Sequence, residues 1–131
     1  METSRSGKVY ETELLNGRFD ENGIFEAEMT AVERNLENYS SLFALYSQLS
    51  ENGEKKICML CNVTKSNSMN KQGRELIAFE LPKYIKAIAL ISDSATGKFI
   101  GNIFVKLAPQ KFPTKIFTSR EEAKDWLKKY L

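Results

Sequence analysis

The chain has no histidine and only two cysteines among its 131 residues. Without histidine it lacks the commonest general base and metal ligand, and with them any serine or cysteine triad of the usual type. No apolar run approaches the roughly 20 residues that a membrane-spanning helix needs. The segment Met1 to Gly7 has no apolar core of the kind a secretory signal carries. These two absences predict a cytoplasmic protein with no membrane span. Excess charge is missing as well: 19 basic and 17 acidic residues leave a net charge of +2, too balanced to argue for nucleic acid or an acidic membrane as partner.

Apolar residues make up 42% and charged residues 27% of the chain, close to a soluble globular average. The length suits one domain that buries roughly two thirds of its unfolded surface. We expect a flexible tail over 1–7 and a single domain over 8–131. Its most apolar stretch is Tyr84 to Ile91, preceded by Leu81-Pro82 and closed by Ser92-Asp93-Ser94. A short, nearly continuous apolar run bounded in this way reads as a parallel strand buried on both faces, with helices above and below.

Around it, Lys8 to Leu15 alternates as a strand ending at Asn16-Gly17, and Ile24 to Met29 follows Asn22-Gly23 as a second strand. Two Asn-Gly signals leave the hairpin register open. Thr30 to Glu33 has capping-box spacing and predicts a helix with Val32, Leu36, Tyr39, Leu42, Phe43, Tyr46 and Leu49 on its core face, ended by Asn52-Gly53. Lys56 to Val63 reads as a strand. Met69 to Glu80 reads as a helix burying Met69, Leu76 and Ile77, with Phe79 a further candidate, and Pro82 stops it. A third helix, capped by Asp93 or Ser94, presents Phe99, Ile100, Ile103, Phe104 and Leu107. Gly97 and Gly101 lie one turn apart on it, a spacing that suits close approach to the sheet or to a ligand. Thr114 to Phe117 is a last strand, and Ser119 to Glu122 a second capping box opening a terminal helix with Ala123, Trp126, Leu127 and Tyr130 on one face. The order β-β-α-β-α-β-α-β-α predicts an α/β fold with a mixed, mainly parallel five-stranded sheet and about four helices.

Few residues suggest chemistry. Cys58-Met-Leu-Cys61 has the spacing of redox and zinc motifs, but inside a strand residues three apart point to opposite faces, so packing is the better reading. Thr96-Gly97-Lys98 resembles the end of a phosphate loop without its earlier glycine. The basic carboxyl end, Lys111, Lys115, Lys124, Lys128 and Lys129, offers no interleaved aromatics for base stacking and reads as a solvated face. We expect no catalytic residue, no metal site and no cofactor. Loops beyond the carboxyl ends of the parallel strands remain as candidate sites, presenting Asn62, Thr64, Ser66, Ser68, Asp93 and Ser94 to a partner.

The element order, the core around Ile85 to Ile91, and the tail from Phe112 through Ile116-Phe117, Glu122-Ala123 and Trp126-Leu127 resemble the SpoIIAA-like (STAS) superfamily, in particular small stand-alone bacterial members. The resemblance covers the chain from about Gly23 onward. It implies a partner-switching regulator in which a serine opening the second helix is phosphorylated and the added charge disrupts docking. The corresponding positions are Ser66 and Ser68, within Lys65-Ser66-Asn67-Ser68-Met69, which lacks the family's Asp before the serine and Gly after it. The expectation is therefore a non-catalytic regulatory or protein-interaction module whose partner is a kinase or regulator, with a homodimer through an edge strand or exposed helix left open. The alternative is a lipid or nucleotide binding domain with a cleft between sheet and third helix, lined by Gly97, Phe99, Ile100, Gly101, Ile103 and Phe104.

Overall fold

A computed structural model describes residues 7–65, 70–92 and 112–131. The chain folds in the order β1 (Tyr10–Glu11), β2 (Leu15–Phe19), β3 (Phe25–Met29), α1 (Leu36–Leu49), β4 (Ile57–Asn62), α2 (Lys71–Glu80), a 3-10 turn (Leu81–Lys83), β5 (Ile85–Ile91), β6 (Thr114–Phe117) and α3 (Arg120–Lys128). All six strands form one sheet in sequence order. The first two pairings are antiparallel, and β3 to β6 run parallel. The apolar run is β5, held between β4 and β6 as a strand buried on both faces should be.

Six strands stand where the sequence suggests five, because Lys8 to Leu15 is not one strand. The Thr12 hydroxyl accepts from the amides of Leu14 and Leu15 at 3.2 and 3.1 Å, folding the chain into a local turn that lays β1 back on β2. Asn16-Gly17 is consequently inside β2, paired with Glu28 and Ala27, and does not turn. The Phe25 ring requires the glycine: a Cβ on Gly17 would lie 2.7 Å from it. The hairpin turn falls at Asp20 to Gly23, where Gly23 has φ +90° and the Asp20 carboxylate accepts from the amides of Asn22 and Ile24 at 2.8 and 2.9 Å.

The expected cap at Thr30 does not form either. Its amide donates to the Leu14 carbonyl at 2.9 Å and its hydroxyl to the Glu13 carbonyl, so Thr30 extends the hairpin pairing. Helix α1 starts later, with the Asn35 side chain accepting from the Asn38 amide at 2.8 Å. Val32 and Leu36 therefore stand outside the buried stripe of Tyr39, Leu42, Leu45, Tyr46 and Leu49. Helix α2 is capped by Asn70, and it buries Ile77 while leaving Phe79 exposed. Three α-helices lie among the described residues; the helix expected to follow β5 lies outside them.

Helices cover both sheet faces. One face joins α1 and α2 to Phe25, Met59, Ile85, Ile88 and their neighbours. On the other, α3 packs Ala123 and Leu127 against Cys58, Leu60, Ala87, Ala89 and Ile24. Small side chains at positions 87, 89 and 123 bring that helix close to the sheet. Ser119 caps α3 as its sequence suggests, accepting from the Glu122 amide at 3.3 Å.

Candidate functional site

Of the loop residues singled out from sequence, Asn62 and Thr64 are described. The Asn62 carboxamide oxygen accepts from the Thr64 amide at 2.9 Å, a local turn that closes the carboxyl end of β4. Next to it Lys65 pairs with Glu28 at 3.2 Å. Ser66, Ser68, Asp93 and Ser94 lie outside the described residues, as do Thr96-Gly97-Lys98 and the cleft residues Gly97, Phe99, Ile100, Gly101, Ile103 and Phe104. Helix α2, which begins five residues beyond Lys65 at its Asn70 cap, buries only Gly73 and Ile77. Phe79 on this helix is 68% exposed, with the Lys83 ammonium 4.5 Å from its ring centre.

The opposite sheet face carries a second feature that no motif announced. Helix α3 lies over β4 to β6, and beyond it Asn16, Arg18 and Glu28 on the hairpin half of the face are exposed. A groove of about 410 Å³ runs there, lined among others by Asn16, Arg18, Glu28, Leu60, Asn62, Ile91 and Arg120. The strand register sets its pattern. Arg18, Glu26 and Leu60 lie side by side in one row, and Asn16, Glu28, Asn62 and Ile91 in the next.

An ion network closes the α3 end of this groove. Lys124 reaches Asp20 at 2.9 Å and Glu26 at 2.8 Å, and Arg120 Nε donates to the other Glu26 oxygen at 2.7 Å. The Asp20 side chain is only 4% exposed. Burial alone would raise its pKa, yet Lys124 and the amides of Ile24 and Asn22 outweigh that and hold the carboxyl below its ordinary value. Glu26 follows the same logic: burial opposes ionisation, and the hydrogen bonds from Arg120 and Lys124 prevail. Asp20 Oδ2 and both Glu26 oxygens thus link α3 with the hairpin, while Asp20 Oδ1 holds the hairpin turn, an arrangement that holds structure and offers no poised acid or base.

The two cysteines point to opposite faces as the strand period requires, Cys58 toward α3 and Cys61 toward α1, and both thiols are free and buried. Burial pushes Cys58 up and Cys61 up to about 12. Neither thiol should label with iodoacetamide in the native protein within the time that the unfolded chain labels fully; rapid native labelling of both would contradict this packing. No metal-binding group of three His, Cys, Asp or Glu side chains occurs among the described residues, and none of the described helices is long and apolar enough to cross a membrane.

The basic carboxyl end differs from its sequence reading. Aromatic rings do stand beside its lysines: Phe117, Trp126 and Tyr130 pack in succession at 5.6 and 5.1 Å between centroids, with Lys115 over Phe117 and Lys129 within 6.0 Å of the other two. Each of the three rings stands within two residues of a lysine in the chain itself, and the fold brings β6 alongside one face of α3. The rings are partly buried on the α3 core cluster, so they pack on one another.

Comparison with known proteins places this architecture. The crystal structure of an uncharacterised protein of the DUF3478 family from Shewanella loihica PV-4, described as having a SpoIIAA-like fold, matches with a TM-score of 0.60 over 92% of this chain and 99% of that one, at 16% identity. A protein of unknown function from Arthrobacter sp. FB24 is 23% identical over 85% of this chain and 96% of that one, with a TM-score of 0.31 that bears no weight. No curated protein sequence matches the chain. The first likeness establishes a SpoIIAA-like fold, in agreement with the resemblance seen in the sequence. Residues 20–131 match the model of the family described as Domain of unknown function (DUF7793), and the chain belongs to that family.

Proposed function

We propose that this chain is a non-catalytic, cytoplasmic regulatory module that docks a protein partner through α2 and the loop after β4, in the manner of STAS-type anti-sigma-factor antagonists. The observation that carries this reading is the open face of α2, where Phe79 stands 68% exposed on a helix that buries only Gly73 and Ile77. Aromatic side chains held out on a rigid helix are the usual anchors of protein interfaces. The SpoIIAA-like fold supports the same class of module.

Phosphorylation of Ser66 or Ser68 would be the switch. In sequence, Ser68 precedes the Asn70 cap by two residues, and the first turn of α2 holds no acidic side chain that would repel a phosphate. The added charge would also compete for Lys65, now paired with Glu28.

The test measures affinity for the co-purifying partner. Phe79→Asp should weaken it by about thirtyfold, the loss of one interface anchor. Ser66→Asp combined with Ser68→Asp should weaken it in the same direction. Affinities equal to wild type for both variants would refute the reading.

A further inference from the structure

The groove beside α3 lies on the opposite sheet face from α2, and its charges do not balance. Lys65 neutralises Glu28 at one end. At the other, both oxygens of Glu26 are taken, Oε1 by Arg120 and Oε2 by Lys124. Arg18 stands directly across from Glu26 in the β2–β3 register, where an antiparallel sheet would ordinarily pair the two. With that carboxylate already occupied, Arg18 has no ion-pair partner among the described residues, and its cation lines the groove. Asn62 gives its carboxamide oxygen to the Thr64 amide, so its amino group is what it offers the groove. Between these polar groups the wall is apolar: Leu60, and Ile91 in the register position next to Asn62.

From this arrangement we infer that the groove is a binding site for a small organic anion with an apolar body, its carboxylate or phosphate head held by Arg18 and Arg120 and its body lying over Leu60 and Ile91. The polarity follows from the pairing: at the Asn62 end Glu28 and Lys65 cancel, while the Arg18 end carries the uncompensated positive charge. A volume of about 410 Å³ falls in the range of small-molecule sites, and an apolar wall with a few convergent polar groups is their common composition. Arginine suits the head because its planar fork meets two oxygens at once.

Octanoate and octyl phosphate are the probes, titrated into the isotope-labelled full chain while backbone amide shifts are followed, with octanol as the uncharged control. Saturable shifts confined to Gly17, Arg18, Leu60, Asn62 and Ile91 are expected with at least one of the two anions, and which anion binds more tightly identifies the head. Arg18→Gln should weaken binding of that anion about tenfold, the usual contribution of one charged hydrogen bond. Arg18 is exposed, so an unchanged melting curve shows that the variant keeps its fold. Octanol should bind weaker than the anion by a similar factor. Absence of saturable groove shifts with both anions, equal affinity for octanol, or an Arg18→Gln variant that binds like wild type would each overturn the assignment.

Discussion

Replacing Lys124 with methionine is expected to destabilise the chain by about 3 kcal/mol, the usual result of removing one partner from a buried ion pair. Methionine keeps the length of the stem, so the loss reports the charge. Lys124 is 14% exposed, and its removal leaves the Asp20 carboxylate, 4% exposed, with backbone amides as its only close donors among the described residues. Glu26 would retain Arg120 alone. Urea unfolding at pH 7 measures the effect, which should appear as roughly a 10 °C drop in melting temperature as well. Lys124→Arg should recover much of it, because the charge is restored.

The pH dependence gives this prediction a sign that packing loss would not share. The folded-state pKa values of Asp20 and Glu26 lie below their ordinary 3.8 and 4.5, so both groups add stability that is present above those ordinary values. That stability is lost as pH falls through the lowered folded values. Lys124 is raised above 10.5, so its contribution is complete at neutral pH and disappears only as pH climbs through the raised value. The gap between wild type and Lys124→Met should therefore be widest near neutrality and should narrow as pH falls below the ordinary carboxylate values and through the lowered folded ones. A gap that stays constant from pH 7 to pH 3 would mean that Lys124 acts through packing.

Gly53→Ala is the second large effect. The chain leaves α1 through Glu51, Asn52 and Gly53, all with positive φ, and Gly53 at +88° lies under the Lys83 carbonyl oxygen. A Cβ there would sit 2.6 Å from that oxygen, and the backbone cannot swing aside as a side chain would. The left-handed conformation alone costs roughly 1–2 kcal/mol for an L residue, so with the clash the total should reach about 3 kcal/mol. Gly23, at φ +90° with open space around it, is the matched control. Its alanine variant should show the conformational part only, about 1 kcal/mol. Equal losses at the two positions in urea unfolding would show that the Lys83 contact does not matter.

Those two sites also mark where sequence reading reached and where it stopped. β5 was legible because a run buried on both faces leaves a continuous apolar signature, one that β4 shares. Ser119 was legible as a cap because its hydrogen bond is local, and the strand period alone separated Cys58 from Cys61. The strand over Lys8 to Leu15, the turn at Asn16-Gly17 and the cap at Thr30 were misread for one shared reason. Each carries a strong local signal, and each is used instead by a contact with a neighbouring strand or turn: the Thr12 hydroxyl on the Leu15 amide, the Phe25 ring over Gly17, and the Glu13 carbonyl on Thr30.

The candidate sites divide in the same way. Asn62 and Thr64 were singled out because loops at the carboxyl ends of parallel strands are where such folds place working groups, and their part in docking stands as a proposal. The groove was not found. Arg120 and Glu26, which meet at its edge, are 94 residues apart in the chain, and no spacing rule connects them. Arg18 is conspicuous only once the register shows it facing a carboxylate that other cations already hold. Phe79 fits the helical period of a buried residue, and only the position of α2 on the sheet reveals it as outward facing.

The central claim is that the α2 face docks a protein. Native mass spectrometry of the chain purified gently from its own host tests it most directly, run in parallel on wild type and Phe79→Asp. The account predicts a wild-type complex with a second protein at fixed stoichiometry, diminished in the variant and in any species carrying one added phosphate. A wild-type chain that flies alone and unmodified, or a complex that survives Phe79→Asp undiminished, would contradict it.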